Sequence, residues 1–180
     1  MFTLRLATPD DIPAIAALME RSIGALQRDF LPPAAIDASR AAMGLDTQLI
    51  ADGTYHLAQE DGRLAGCGGW SFRATLYGGD HSGGLRDART LDPARDAARI
   101  RAMYTDPAFV RRGVGRLILA ACERAAADAG FARAEMMATL AGEPLYRACG
   151  YRVIERVANM TAGPVAVPGV RMGKTLPRAI

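Results

Sequence analysis

The chain has 180 residues, 50% hydrophobic and 23% charged, enough to bury one core and cramped for two, so a single domain over residues 1–180 is expected. Its net charge of +3 is almost all arginine, Lys174 being the only lysine, and the arginines are scattered with little aromatic interleaving, which argues against a nucleic-acid partner. No apolar run approaches the ~18 residues of a membrane span and the N-terminus lacks a leader pattern, so a cytoplasmic protein without a membrane partner is expected.

Residues 2–6 alternate Phe2, Leu4 and Leu6 against Thr3 and Arg5, the period of a first strand. A helix follows, for which Asp10 is the expected N-cap, with Pro13 at N3 where its missing N–H costs nothing and Ile12, Ile15, Met19, Ile23 and Leu26 as the core stripe. Pro32-Pro33 breaks the chain, and residues 34–43 read as a second helix with a mostly alanine face. Residues 55–59 and 64–72 form two strands, and the Asp61-Gly62 pair between them predicts an antiparallel hairpin. Residues 73–97 are too long and glycine-rich for a simple connection. Gly78, Gly79, Gly83 and Gly84 suggest mobility, and Arg73, Arg86 and Arg89 offer charge for an acidic group on a substrate.

In residues 98–105, Ala98, Ile100, Ala102 and Tyr104 alternate with Arg99 and Arg101, which predicts a strand with one buried face. Pro107 ends it. Val110-Arg111-Arg112-Gly113-Val114-Gly115-Arg116 then leads into a helix whose stripe is Val114, Leu117, Ile118, Ala121, Cys122, Ala125 and Ala129, closed by Gly130 at C′. A helix that leaves a glycine turn directly presents unpaired N–H groups and the positive end of its dipole, an anion site suited to a pyrophosphate. A Walker loop is excluded because Gly115 is followed by Arg116-Leu117, and a dinucleotide fingerprint because Ile118 stands where its third glycine belongs.

Beyond this unit, residues 132–139 read as a strand by position, residues 143–150 as a short helix with Pro144 early and Gly150 past its end, and residues 151–158 and 170–176 as closing strands. The expected order β, α, α, β, β, β, α, β, α, β, β gives a mixed α/β sheet with one parallel crossover. Cys67, Cys122 and Cys149 are odd in number and widely spaced, so buried reduced thiols are expected and no metal.

The turn at Gly113 and Gly115 resembles motif A of the GNAT (GCN5-related) N-acetyltransferases, with Val110 where Gln or Arg is usual, and Tyr146 with Gly150-Tyr151 is similar to the signature that ends the GNAT core. The resemblance implies a GNAT fold: a mostly antiparallel central sheet of about seven strands, flanked by helices, with a splayed parallel pair at a CoA cleft. It implies acetyl-CoA as cosubstrate, held by backbone at Met103, Tyr104 and Thr105 and by Val110, Arg111, Arg112, Gly113, Val114, Gly115 and Arg116. It further implies direct transfer of acetyl to a primary amine in a ternary complex, with Tyr146 as general acid to the leaving thiolate. A catalytically silent acyl-CoA-binding module is the alternative, and a homodimer is allowed. The base stays open among Glu135, which is placed beside the cleft, Asp106, Asp80, His81 and a relaying water; the amine acceptor also stays open.

Overall fold

The computed structural model describes residues 1–177, so the last three residues of the expected 1–180 domain lie outside the described residues. The chain runs through β1 (Thr3–Leu6), α1 (Ile12–Leu26), α2 (Pro33–Ser39), α3 (Thr47–Ala51), β2 (Tyr55–Glu60) and β3 (Arg63–Ser71). It continues as β4 (Ala98–Thr105), α4 (Val114–Asp128), β5 (Arg133–Thr139), α5 (Glu143–Ala148), β6 (Arg152–Val157) and β7 (Gly169–Thr175). The strands form one seven-stranded sheet in the order β1-β2-β3-β4-β5-β7-β6, antiparallel except for the parallel β4–β5 step. This is the mixed, mostly antiparallel α/β architecture expected. Among the described residues, no helix is long and apolar enough to cross a membrane.

The β2–β3 hairpin follows from its turn: Asp61 and Gly62 both take positive φ, 51° and 74°, the twist that two-residue connections require. One core lies between the sheet and α4, built on Ile100, Val114, Ile118, Met136 and Val170. The other lies under α1, α2 and α3, built on Ile15, Leu18, Ile23, Leu57 and Tyr104. On α4 the buried seam is Val114, Ile118, Leu119, Cys122 and Ala126, so it is turned from the expected stripe; Leu117 is half-buried and Ala129 exposed. The helix lies directly on bare backbone of β3, since a Cβ on Gly66 would sit 2.5 Å from Val114 Cγ1.

Three expectations are corrected. Asp10 does not cap α1: the Asp11 N–H donates to the Thr8 carbonyl at 3.0 Å to close a 3-10 turn over Pro9–Asp11, the Thr8 N–H donates back to Asp11 Oδ2 at 2.8 Å, and Asp11 is the residue at the α1 N-cap. Arg5 pairs with Asp11 at 2.6 Å, which makes Asp11 the better-satisfied carboxylate. The second helix stops at Ser39, whose Oγ donates to the Ile36 carbonyl at 2.6 Å, and an unpredicted α3 begins after Asp46, which accepts from the Gln48 N–H.

The third correction concerns β4. Cys67 opposes Tyr104 while Gly69 opposes Arg101, so β4 carries one extra residue, and Ala102 sits there at φ 51°. A bulge of this kind shifts side-chain parity by one. Ala98 and Ile100 therefore face the α4 core, Tyr104 faces the opposite core, and Arg101 is buried rather than solvated.

Candidate active site

β4 and β5 pair only at Ala98↔Ala134 and Arg99↔Glu135. Beyond Arg99 they diverge, and a cavity of about 340 Å³ opens in the gap, lined by residues 100–105 of β4 and by Met136, Met137 and Thr139 of β5. Such a wedge leaves one edge of a central strand unpaired inside the molecule, where an extended molecule can take the place of the missing strand. Met103, Tyr104 and Thr105 lie on that edge, as expected.

The turn before α4 sits at the same end of the wedge, with Val110 and Gly115 in the cavity lining. Asp106 accepts from the Ala108 N–H and its backbone carbonyl from the Phe109 N–H, which fixes the chain as it leaves β4. Arg111 and Gly113 then take positive φ, 61° and 86°. None of the amides of residues 110–116 donates a hydrogen bond to another described residue; the ladder of α4 begins with the Leu117 N–H donating to the Gly113 carbonyl at 3.0 Å. Arg111 and Arg116 are exposed and carry no ion pair among the described residues. Arg112 is spent on structure: it pairs with Glu60 at 2.7 Å and stacks on the Phe2 and Phe109 rings, so its side chain anchors the turn to β2. Open amides, two free guanidinium groups and a helix dipole together form an anion cradle.

Tyr146 projects from α5 into the lining and is buried. Gly142 makes room for it, since a Cβ there would lie 2.9 Å from Tyr146 Cε2, and the ring meets Tyr151 edge-on at 6.1 Å. Among the described residues its hydroxyl has no hydrogen-bond partner. Burial, with the nearby Cys122 and Cys149 thiols adding, raises its pKa well above the usual phenol value, so the group keeps its proton at neutral pH.

The structure does not bring the expected base candidates to this cavity. Glu135 points its carboxylate at Arg99, 2.9 Å, and Arg171, 2.6 Å, at the closed end of the β4–β5 pair, and is absent from the lining. Asp106 pairs with Arg21 at 2.6 Å, Asp80 accepts from the Thr47 N–H at 3.1 Å, and the His81 ring meets the Arg40 carbonyl at 2.6 Å. Each is occupied elsewhere, and none lines the cavity.

The 73–97 segment is held to the chain between α2 and α3. Ser82 Oγ donates to the Ala41 carbonyl, the Asp80 N–H to the Leu45 carbonyl, and Arg101 to the Gly78 carbonyl. Two of its glycines serve close approach, since a Cβ on Gly79 would lie 2.6 Å from the Leu45 carbonyl oxygen and one on Gly78 2.9 Å from Ser82 Cβ, whereas Gly83 and Gly84 stand in open space. Two of the three arginines expected to meet a substrate are held by buried carboxylates, and the third makes a looser, exposed pair. Arg73 pairs with Asp52, Arg86 with Asp46, and Arg89 with Asp96. Leu76, Tyr77 and Gly78 do reach the cavity, which Ser22, Ile23 and Leu26 of α1 and Gln27 just past its end also line. Sequence reasoning missed this α1 wall. The signal was a polar residue, Ser22, beside the apolar stripe. Arg101 was missed because the bulge that buries it cannot be read from alternation.

Comparisons with known proteins agree with this geometry. No curated protein sequence matches the chain. Among solved structures it is similar to a GCN5-related N-acetyltransferase from Rhodopseudomonas palustris, with TM-score 0.69 and 21% identity over 97% of this chain and 95% of that one. It is also similar to the PaiA N-acetyltransferase of Thermoplasma acidophilum in complex with coenzyme A, TM-score 0.64 and 11% identity over 97% and 99%. A third likeness is to the ribosomal-protein-S18-alanine N-acetyltransferase of Escherichia coli, TM-score 0.61 and 16% identity over 99% and 96%. At these identities the likenesses show the fold. The model of the acetyltransferase (GNAT) family matches residues 22–151, which hold the α1 wall, the wedge, the turn before α4 and Tyr146, and the chain therefore belongs to the GNAT acetyltransferase family.

Proposed function

We propose that the protein is an N-acetyltransferase that moves acetyl from acetyl-CoA to a primary amine by direct attack in a ternary complex. The observation that carries this reading is the run of open amides at residues 110–116 set at the mouth of the β4–β5 wedge, one end of a continuous path that passes Tyr146. In this reading the turn, with Arg111 and Arg116, takes the pyrophosphate, and the unpaired edge of β4 at Met103–Thr105 holds the pantetheine arm. The CoA complex of the Thermoplasma acidophilum neighbour supports a CoA-type cosubstrate.

The amine nitrogen attacks the thioester carbonyl carbon from the α1 side, the C–S bond breaks, and the departing sulfur takes a proton from Tyr146, which regains one from water. The attacking nitrogen loses its proton to water, since no carboxylate or imidazole lines the cavity among the described residues. The rate gain comes mainly from holding amine and thioester at bonding distance. A calorimetric titration with acetyl-CoA, followed by release of free CoA thiol in the presence of a panel of amines, tests the reading. Binding and amine-dependent thiol release are expected; binding without release from any amine returns the chain to a silent acyl-CoA binder.

A further inference from the structure

The half of the cavity walled by α1 and residues 76–78 of the loop carries polar side-chain groups at four residues. Ile23, Leu26, Met43, Leu76 and Met160 supply apolar surface, and Ser22, Gln27, Arg101 and the Tyr77 hydroxyl the polar groups. The Gln27 side-chain NH2 donates to Ser39 Oγ at 3.1 Å. Arg101 is the one formally charged residue of the lining, and among the described residues the lining contains no Asp, Glu, His or Lys. The nearest acid behind that wall, Asp46, is fully covered and bound to Arg101 at 2.7 Å and Arg86 at 3.2 Å, so it offers nothing to the chamber.

From this we infer the class of acceptor: a primary amine of low pKa on an apolar group, an α-amino group or an arylamine, with alkylammonium acceptors such as lysine side chains and polyamines excluded. The inference rests on the N-acetyltransferase reading above. An ammonium entering this chamber would shed water and meet no anion. It would also need to lose a proton before attack, and the wall holds no base. The work must then be done in solution, where an α-amine of pKa ~7.8 is uncharged for roughly a third of the time near pH 7.5 and a lysine amine of pKa ~10.4 for about one part in a thousand.

The test uses the full chain saturated with acetyl-CoA and four probes: alanyl-phenylalanine amide, 4-methoxyaniline, Nα-acetyl-lysine amide and spermidine. Thiol release gives kcat/KM, and calorimetric binding of each amine to the CoA-loaded protein gives a second reading should turnover be silent. One of the first two is expected to exceed both of the others by ~100-fold or more, and which of the two leads separates a peptide N-terminus from a small aromatic amine. Equal or reversed preference, or no amine binding at all, overturns the inference. CoA binding is read in the same titration: its absence defeats the cosubstrate reading, whereas bound CoA with a preference for lysine or spermidine defeats only the acceptor class. A gain of function completes the test. Leu26, half-buried in the lining, is replaced by Glu and separately by Gln. Leu26→Glu should raise kcat/KM for the lysine derivative ~10-fold by supplying the missing anion, and Leu26→Gln should not. A glutamate without effect in a folded variant contradicts the inference, and the wild-type panel decides it alone if that variant does not fold.

Discussion

The Tyr55 hydroxyl donates to the carbonyl oxygen of Ala102 at 2.7 Å, and Ala102 is the residue at which β4 carries its extra, left-handed step. Tyr55 reaches it from β2, across β3, as a fully buried side chain. A left-handed alanine costs about 1–2 kcal/mol, and this part-buried bond helps offset it. The bulge thus has a dedicated support two strands away. Tyr55→Phe should lower stability by about 1–2 kcal/mol in urea and weaken acetyl-CoA binding several-fold, because the edge at Met103–Thr105 follows the bulge. A variant with unchanged affinity would separate the bulge from the cosubstrate site.

Gly113 and Gly115 do not make equivalent tests of the phosphate turn. A Cβ on Gly115 would lie 2.8 Å from Leu145 Cδ2, so any side chain there disturbs packing, whereas Gly113 has open space and only its φ of 86° to restrain substitution. Aspartate tolerates that conformation better than most residues. Gly113→Asp should therefore keep the fold, with a circular-dichroism spectrum and melting temperature near wild type, and lose acetyl-CoA affinity by ~100-fold through repulsion of the pyrophosphate. Retained affinity would place the anion elsewhere.

Tyr146→Phe removes a hydroxyl that has no hydrogen-bond partner among the described residues, so the fold should not notice it. Thiol release at saturating substrates should fall by ~100-fold, the usual worth of a general acid, with acetyl-CoA affinity unchanged. An unchanged kcat would leave Tyr146 as packing against Tyr151.

The Arg5 hydrogen bond holds the Asp11 carboxyl far below the usual carboxylate range, with the Thr8 backbone N–H assisting. A carboxyl depressed in the folded state stabilises it above the ordinary carboxylate pKa and ceases to do so as pH falls through the folded-state value. Wild type should melt above Asp11→Asn near neutral pH, and the difference should shrink as pH drops from about 4 toward about 2. A constant difference across that range would assign the effect to shape alone.

Burial pushes the Cys67 thiol up to about 12 and raises Cys122 as well, while Cys149 is only half-buried. Iodoacetamide near pH 8 should therefore label Cys149 alone in the native protein, as peptide mapping would show. Labelling of Cys67 without unfolding would contradict its packing.

What could be read from the sequence divides at the point where tertiary contact takes over from local pattern. The Asp61-Gly62 hairpin, the break at Pro107 and the glycine entry to α4 were legible because turn chemistry is local. That the turn before α4 and Tyr146 meet at one cavity was suggested by their motif spacing. The parity switch in β4 was not, since its support, Tyr55, lies 47 residues away in sequence. Nor were the fates of the charged groups. Glu135 and the loop arginines carry the right chemistry for a site, but which partner takes each one is fixed only when Arg99, Arg171, Asp52 and Asp46 are brought beside them. The α1 wall stayed hidden because an amphipathic helix looks the same whether its apolar face closes a core or borders a cavity.

The brevity of the β4–β5 pairing has an implication for how the protein tolerates change. Past Arg99 the open edge of β4 is made of main-chain N–H and C=O groups. Such an edge presents the same pattern of donors and acceptors whichever side chains flank it. Substitutions from Ile100 to Thr105 can alter packing on either face of the sheet and leave that pattern as it was. Proline is the exception, since it deletes a donor and forbids the left-handed step at Ala102. An edge of this kind tolerates drift in the side chains around it without changing what its main chain presents.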